Sequence, residues 1–221
     1  AKASPKAASD KDVVKEVPTA ETPVRAKRRI APGPVALVAA GPGDPELVTL
    51  RAAALLAAAD LILVDADAIA VAQAHAGPTS TVQVAIGEDG IPLGHADRTK
   101  IVIDAAREGR SVVRLVAGDP VVDGTLLLEA GALHKARIAF DVAPGVSEVT
   151  AVPAYAGFGL TGGRTRQVRI VDAHDPDLPW TELVSARTTL VFLDGADRAT
   201  DIAARLVSAG ADPATPIAVT R

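Results

Sequence analysis

From residue 34 onward, short apolar runs alternate with longer amphipathic stretches rich in Ala and Leu. Apolar runs of four to six residues bounded by Gly, Pro or Asp are typical of buried strands, and the longer stretches predict helices. The predicted strands are 35–40, 61–64, 111–116, 138–142, 168–172, 188–193 and 216–220. The predicted helices are 46–59, 97–108, 124–136, 148–156 and 199–209. This alternation predicts an α/β fold with a mostly parallel sheet.

The same pattern suggests three segments. Residues 1–33 lack apolar periodicity and are rich in Ala, Lys, Pro, Ser and Thr, which predicts a disordered basic leader. At Gly162-Gly163 the pattern changes, so we place a boundary near residue 161. We therefore expect an N-terminal α/β domain over 34–161 and a smaller α/β domain over 162–221. Because a strand is predicted at the end of the chain, we expect this second domain to be truncated.

The composition of the chain argues against several classes of function. Hydrophobic residues make up 48% of the chain but aromatic residues only 2%, which predicts an aliphatic core and argues against stacking on nucleic-acid bases. The net charge of −4 divides into +4 over residues 1–30 and −8 over the rest, so the body is acidic and does not suit nucleic acid. There is no Cys, and the four His lack metal-ligand spacing. With no membrane span or signal peptide recognised, we expect a soluble cytoplasmic protein without a metal.

Three Gly- and Pro-rich turns each follow a predicted strand. They are 41–45 (GPGDP), 118–120 (GDP) and 144–147 (PGVS). In open α/β sheets, ligands bind beyond the carboxyl ends of the strands, and Gly lets the backbone approach a ligand closely. Each turn alone also fits ordinary loop punctuation. The pattern is neither GxGxxG nor GK[ST], so it supports neither a dinucleotide fingerprint nor a phosphate loop.

Taken together, these turns resemble a known family. The segments VALVAAGPGDPELVTLRAAALLAAADLILVD, VVRLVAGDPVVDG, VAPGVSEVTAVPAYAGFGLT and TLVFLDG resemble the tetrapyrrole methylases over residues 35–221, most closely the uroporphyrinogen-III C-methyltransferases. The chain is also similar to the methylase-like half of actinobacterial fusions whose second half is a uroporphyrinogen-III synthase. This resemblance implies a fused or adjacent synthase and a homodimer.

The resemblance implies a two-domain tetrapyrrole methylase fold that binds S-adenosylmethionine and methylates the tetrapyrrole uroporphyrinogen III, on the route to sirohaem and cobalamin. It implies that Asp65 accepts a proton and that Arg114 binds substrate carboxylates. Two other interpretations stay open: Asp65 could cap the following helix, and Arg114, inside an apolar strand, could pair with Asp119, Asp141 or another acid. The implied cofactor-binding residues are Pro42, Ala117, Gly118, Asp119, Val122, Ser147, Glu148 and Asp194.

Several positions depart from the family pattern. Ala66 stands where the family has Arg, Glu88 where it has Lys, and Asp194 where it has Met. Residues that shape the backbone are kept while charged side chains change. This leaves open a non-catalytic domain that supports a fused synthase, or a methylase for a less anionic substrate. We also expect Tyr155 and Trp180 to serve packing.

Overall fold

The computed structural model describes residues 31–122, 124–185 and 187–220. The predicted leader over 1–33 lies outside these ranges except for its last three residues. In the described part of the chain, no helix combines the length and the apolar character needed to cross a membrane.

Two parallel sheets form within the described residues. The strands are β1 (Val35–Ala39), β2 (Leu61–Val64), β3 (Thr81–Val84), β4 (Val112–Val116), β5 (Phe140–Ala143), β6 (Gln167–Asp172) and β7 (Thr188–Leu193). The first sheet has the order β3-β2-β4-β1-β5, and the second pairs β6 with β7. All described ladders are parallel, which confirms the α/β prediction.

Helices follow most strands. They are α1 (Leu50–Ala58), α2 (Ile69–His75), α3 (His95–Arg107), α4 (Thr125–Lys135), α5 (Glu148–Ala156), α6 (Trp180–Leu183) and α7 (Ala199–Ser208), with 3₁₀ turns at Pro45–Leu47 and Ala66–Ala68. The predicted helix over 46–59 is in fact two elements, because Thr49 is extended and its hydroxyl accepts from Ala52 N–H to cap α1. Asp44 and Pro45 begin the 3₁₀ turn, as predicted.

The first sheet is covered on both faces. Leu56 of α1 and Val71 of α2 pack on one face with Val38, whereas Val102 of α3 and Leu133 of α4 pack on the other. Every residue of β1 and β4 is buried, as expected of central strands covered on both sides.

The second sheet is smaller; α6 follows β6 and α7 follows β7 along the chain, and the two helices contact each other. The ring of Trp180 stacks on Phe192 with centroids 6.2 Å apart, and the Arg205 guanidinium lies 5.6 Å from the centre of the Trp180 ring. This agrees with the packing role predicted for Trp180. Tyr155, by contrast, is 72% exposed and its hydroxyl donates to Asp44, so the packing role predicted for it is wrong.

Three elements were not predicted from the sequence, and one predicted strand is wrong. Neither α2 nor β3 was predicted, because α2 has only seven residues and the alternation of β3 extends over only four. The third, α6, is a single turn of helix. The strand predicted over 216–220 is wrong: these residues join neither described sheet, and Ile217 and Val219 are exposed. An alternating pattern forms a strand only where a neighbouring strand supplies hydrogen bonds. The domain boundary near residue 161 stays a prediction.

Candidate active site

The first two Gly turns meet at the carboxyl edge of the first sheet. Because β1 and β4 are parallel neighbours, the turns that follow them lie side by side. Gly41 N–H donates to the Gly118 carbonyl at 3.3 Å, and Gly118 N–H donates back to the Gly41 carbonyl at 3.1 Å. Both glycines have positive φ, +76° and +66°. This conformation is open to glycine at little cost.

The third turn, residues 144–147, packs closely against the end of β1 and the first turn. A Cβ placed on Gly145 would lie 2.9 Å from the Cβ of Ala39, so only a bare backbone fits there. A Cβ on Gly41 would meet the carbonyl of Val146 at 3.4 Å. The three turns therefore lie at one edge, beyond β4, β1 and β5, as the sequence predicted.

Several residues of the predicted cofactor site gather at this edge. Glu148 lies against Gly118, since a Cβ on Gly118 would come within 2.5 Å of Glu148 Oε1. The Ser147 hydroxyl accepts from Val149 N–H and caps α5. The Asp119 carboxylate accepts from Val121 N–H at 3.1 Å and so shapes its own turn. Pro42, Ala117 and Val122 belong to the same two turns, and Val122 N–H donates to the Asp119 carbonyl at 3.0 Å.

Asp194 lies elsewhere. It follows β7 in the second sheet, with a positive φ of +52°, and its carbonyl accepts from His174 Nε2 at 3.1 Å. Its part in binding a cofactor stays a prediction.

Asp65 directly follows β2, and both of its carboxylate oxygens accept hydrogen bonds. Oδ1 accepts from Arg114 Nη2 at 2.6 Å and from Arg98 Nη1 at 3.3 Å. Oδ2 accepts from Ala117 N–H at 3.1 Å. The side chain makes no capping bond to the turn that follows, so the capping interpretation is wrong. Asp65 is instead bonded directly to the Gly-Asp-Pro turn.

Arg114 is completely buried, with 0% of its side chain exposed. Its Nε donates to both oxygens of Glu129, at 3.2 and 3.0 Å, and its Nη1 donates to the Leu115 carbonyl at 2.6 Å. Asp119 and Asp141 are therefore not its partners, although pairing with another acid is correct. Arg114 faces the covering helices α3 and α4 because it shares that face of β4 with Val112. Direct contact of Arg114 with substrate stays a prediction.

Two residues of this cluster, Arg98 and Glu129, were not predicted from the sequence. Arg98 lies 3.3 Å from Glu129 Oε1 through its Nε, and its Nη2 is 2.7 Å from His95 Nδ1. The helical period held a signal for both. Arg98 is four residues before buried Val102, and Glu129 is four before buried Leu133, so each lies on an apolar helix face. A charge on such a face needs an opposite charge nearby.

The comparison with known families decides the assignment. Residues 34–221 match the family model described as Tetrapyrrole (Corrin/Porphyrin) Methylases. The chain belongs to the tetrapyrrole methylase family. Among its relatives is an S-adenosyl-L-methionine-dependent uroporphyrinogen III methyltransferase of Methanosarcina barkeri, 36% identical over 85% of this chain and 76% of that protein. A siroheme synthase of Edwardsiella ictaluri is 38% identical over 85% of this chain. The chain spans 42% of the length of that synthase.

Solved tetrapyrrole methylases share the fold. The uroporphyrin-III C-methyltransferase of Thermus thermophilus, complexed with S-adenosylhomocysteine, is 33% identical, with a TM-score of 0.64 over 82% of this chain and 78% of that one. A cobalt-precorrin-4 methyltransferase is 26% identical, with a TM-score of 0.69 over 81% of this chain and 76% of that one.

Proposed function

We propose that this methylase transfers a methyl group from S-adenosylmethionine to carbon atoms of uroporphyrinogen III. The observation that carries the proposal is the hydrogen bond from Ala117 N–H to Asp65 Oδ2. It joins the candidate proton acceptor to the turn predicted to hold the cofactor. The relatives named above as uroporphyrinogen methyltransferases support the substrate.

The described residues fit this cofactor. Gly41 and Gly118 present bare backbone at the carboxyl edge of the sheet, where ligands of open α/β sheets bind. A side chain on Gly118 would displace Glu148. The residues that would hold the cofactor, which supplies an activated methyl group, are Pro42, Ala117, Gly118, Asp119, Val122, Ser147 and Glu148.

Asp65 is the candidate base. Transfer of a methyl group to a ring carbon breaks the sulfur–methyl bond and forms a carbon–carbon bond. The methylated carbon already carries an acid side chain and has no hydrogen, so the positive charge left on the macrocycle is removed by loss of a proton from another of its atoms to a base. Three donors occupy the Asp65 oxygens. Two of them meet on Oδ1, so Oδ2, which has one, has the remaining lone pair for the proton.

One departure from the family pattern has a structural answer. Ala66 cannot supply the guanidinium that the family has next to this acid, but Arg98 reaches Asp65 from α3 at 3.3 Å. A guanidinium is therefore still present at this acid, although it comes from α3.

A second departure favours a different methyl acceptor as the alternative. Glu88, Asp89 and Asp97 line an open depression of about 360 Å³ between β3 and α3. Carboxylates repel the acid side chains of uroporphyrinogen III. A tetrapyrrole with fewer free carboxylates would suit this surface better, and a substrate panel with matched neutral esters distinguishes the two.

The test is transfer of labelled methyl from S-adenosylmethionine to uroporphyrinogen III by the full chain, compared with Asp65→Asn and Asp67→Asn. Asp67 is an exposed acid two residues away and serves as the matched control. We expect Asp65→Asn to lower turnover by about 10²-fold or more, since general bases contribute about 10²–10⁴-fold, with cofactor binding retained. Cofactor binding without any methyl transfer would support the non-catalytic interpretation instead.

We infer further that the whole protein acts in the cytoplasm as a homodimer, with a fused or adjacent uroporphyrinogen-III synthase. The resemblance to methylase–synthase fusions supports this. Synthase activity that copurifies with the methylase from the native source, and a dimer mass by light scattering, would test it. Separate elution of the two activities would contradict it.

A further inference from the structure

Arg98 links two acids at the site. Its guanidinium lies 3.3 Å from Asp65 Oδ1 and 3.3 Å from Glu129 Oε1, and only 13% of its side chain is exposed. Glu129 in turn binds Arg114. The four side chains carry two positive and two negative charges, so the cluster is neutral as a whole.

The contacts of Arg98 fix its position from two sides. Its buried Nε makes no hydrogen bond, so the attraction to Glu129 there is purely electrostatic. Its Nη2 bonds His95 Nδ1 at 2.7 Å. Because an arginine has only donors, that His nitrogen is the acceptor.

This arrangement limits how Asp65 can turn. A carboxylate rotates about its own side-chain bonds unless donors on both oxygens hold it. Arg114 holds Oδ1 from the core side and Ala117 N–H holds Oδ2, while Arg98 is the donor to Oδ1 that comes from α3, a separate element. Without Arg98, Oδ1 could swing about the Arg114 contact and carry Oδ2 off Ala117.

We propose that Arg98, held in place by Glu129, is a positioning residue that fixes the orientation of the Asp65 carboxylate for proton transfer. The inference rests on the proposed methyl transfer. Arg98 does not itself touch the reacting atoms. Its role is to keep Oδ2 directed at the Gly-Asp-Pro turn.

The first test compares Arg98→Met and Arg98→Lys with Arg51→Met. Methionine keeps much of the apolar stem, and lysine keeps the charge but offers one nitrogen where arginine offers a fork. Arg51 also pairs with an acid, Asp141 at 3.2 Å, but on the exposed surface, so it is the matched control.

We expect Arg98→Met to lower kcat by about 10- to 100-fold, since a misplacement of 1 Å can cost about 100-fold. Cofactor Kd should stay within about twofold, because Arg98 lies outside the turns. Arg98→Lys should recover part of the loss.

The second test needs no turnover. The Ala117 amide is protected by Asp65, and the nearby Ala40 amide is protected by the Val116 carbonyl instead. If Arg98 positions Asp65, Arg98→Met and Arg98→Lys speed hydrogen exchange at Ala117 relative to Ala40. A general loss of stability would speed both amides alike, because both would exchange through the same global opening.

The outcomes separate the two proposals. Wild-type kcat in Arg98→Met, with Ala117 exchange unchanged, would overturn the positioning role while leaving methyl transfer intact. If the unaltered chain does not methylate, the proposed function fails and the exchange ratio alone decides the inference. If Arg98→Met does not fold, the lysine variant supplies both readouts.

Discussion

Asp65 and Arg114 form a 2.6 Å ion pair in which the arginine has no exposed surface. Arg114 lies level with Leu63 in the register of β4 with β2. Because side chains two residues apart in a strand share a face, Asp65 lies on the same face as Leu63, one step further toward the carboxyl edge. The Arg114 side chain extends along this face from the core toward the carboxyl end of β2. The candidate base is thus anchored to the most buried part of the sheet.

The buried end of this cluster predicts a large effect on stability. Glu129 is 2% exposed and is bonded twice by Arg114. We expect Glu129→Gln to lower the free energy of unfolding by about 3 kcal/mol, because it leaves buried positive charge undercompensated. That corresponds to a Tm lower by about 6–12 °C for a chain of this size. Thermal unfolding measures it.

Asp141→Asn is the control for this change. Asp141 is an exposed acid that pairs with Arg51, and such pairs contribute about 0–1 kcal/mol. Equal Tm values for the two variants would show that the buried cluster carries no special stability.

The turn at Gly118 predicts a loss of cofactor binding. An alanine there would be strained by the positive φ of +66° and would press on the Glu148 carboxylate at 2.5 Å. We expect Gly118→Ala to weaken binding of S-adenosylmethionine by about tenfold or more, or about 1.4 kcal/mol, in calorimetric titration.

Gly124 offers a matched control for strain. Its φ is +76°, but a Cβ there would meet nothing within 4 Å. Gly124→Ala therefore has the same backbone strain, costing about 1–2 kcal/mol of stability, without the collision. An equal loss of cofactor affinity in both variants would mean that strain, and not the approach of Glu148, sets the effect.

Local chemistry made much of this predictable. The prediction that the three Gly- and Pro-rich turns lie at one edge of the sheet was correct, since parallel strands end on the same edge. The helix predicted over Glu148–Ala156 was also correct, whereas its cap at Ser147 was not predicted. The contact between Asp65 and Arg98 was not predictable, because it joins residues 33 apart whose meeting depends on how α3 packs over β2 and β4. The strand predicted over 216–220 failed because a pattern cannot show whether a pairing partner exists.

The hydrogen bonds of Asp60 predict that the free energy of unfolding falls at low pH. Its carboxylate accepts from Ser111 N–H at 2.8 Å and from the Ser111 hydroxyl at 2.9 Å. The backbone bond first, and then the hydroxyl bond, lower the pKa of Asp60 below its ordinary value of 3.8. As the pH falls toward 3.8, the unfolded chain therefore binds more protons than the folded chain. The stabilisation from Asp60 is present above its unfolded pKa and is lost as the pH falls through its folded pKa.

Two variants test this linkage. Asp60→Asn should show a smaller fall in unfolding free energy between pH 6 and pH 2.5 than the unaltered chain, by denaturant titration. Ser111→Ala keeps the backbone donor and should fall between the two. An unchanged pH profile in Asp60→Asn would contradict the assignment.

Ser147 has two roles that can be measured separately, the observed capping of α5 and the predicted contact with the cofactor. Its hydroxyl caps α5 by accepting from Val149 N–H, and the same residue is predicted to touch the cofactor. Ser147→Ala should cost about 1 kcal/mol of stability by loss of the cap and should also weaken cofactor binding. Ser147→Thr keeps a hydroxyl at the same place and should preserve both the stability and the cofactor binding, apart from a few tenths of a kcal/mol in capping strength.

Thermal unfolding with and without S-adenosylhomocysteine measures the two effects together, since a ligand that binds only the folded chain raises Tm. If Ser147→Ala loses stability but keeps the full ligand-induced rise in Tm, Ser147 only caps the helix and the predicted cofactor contact is wrong.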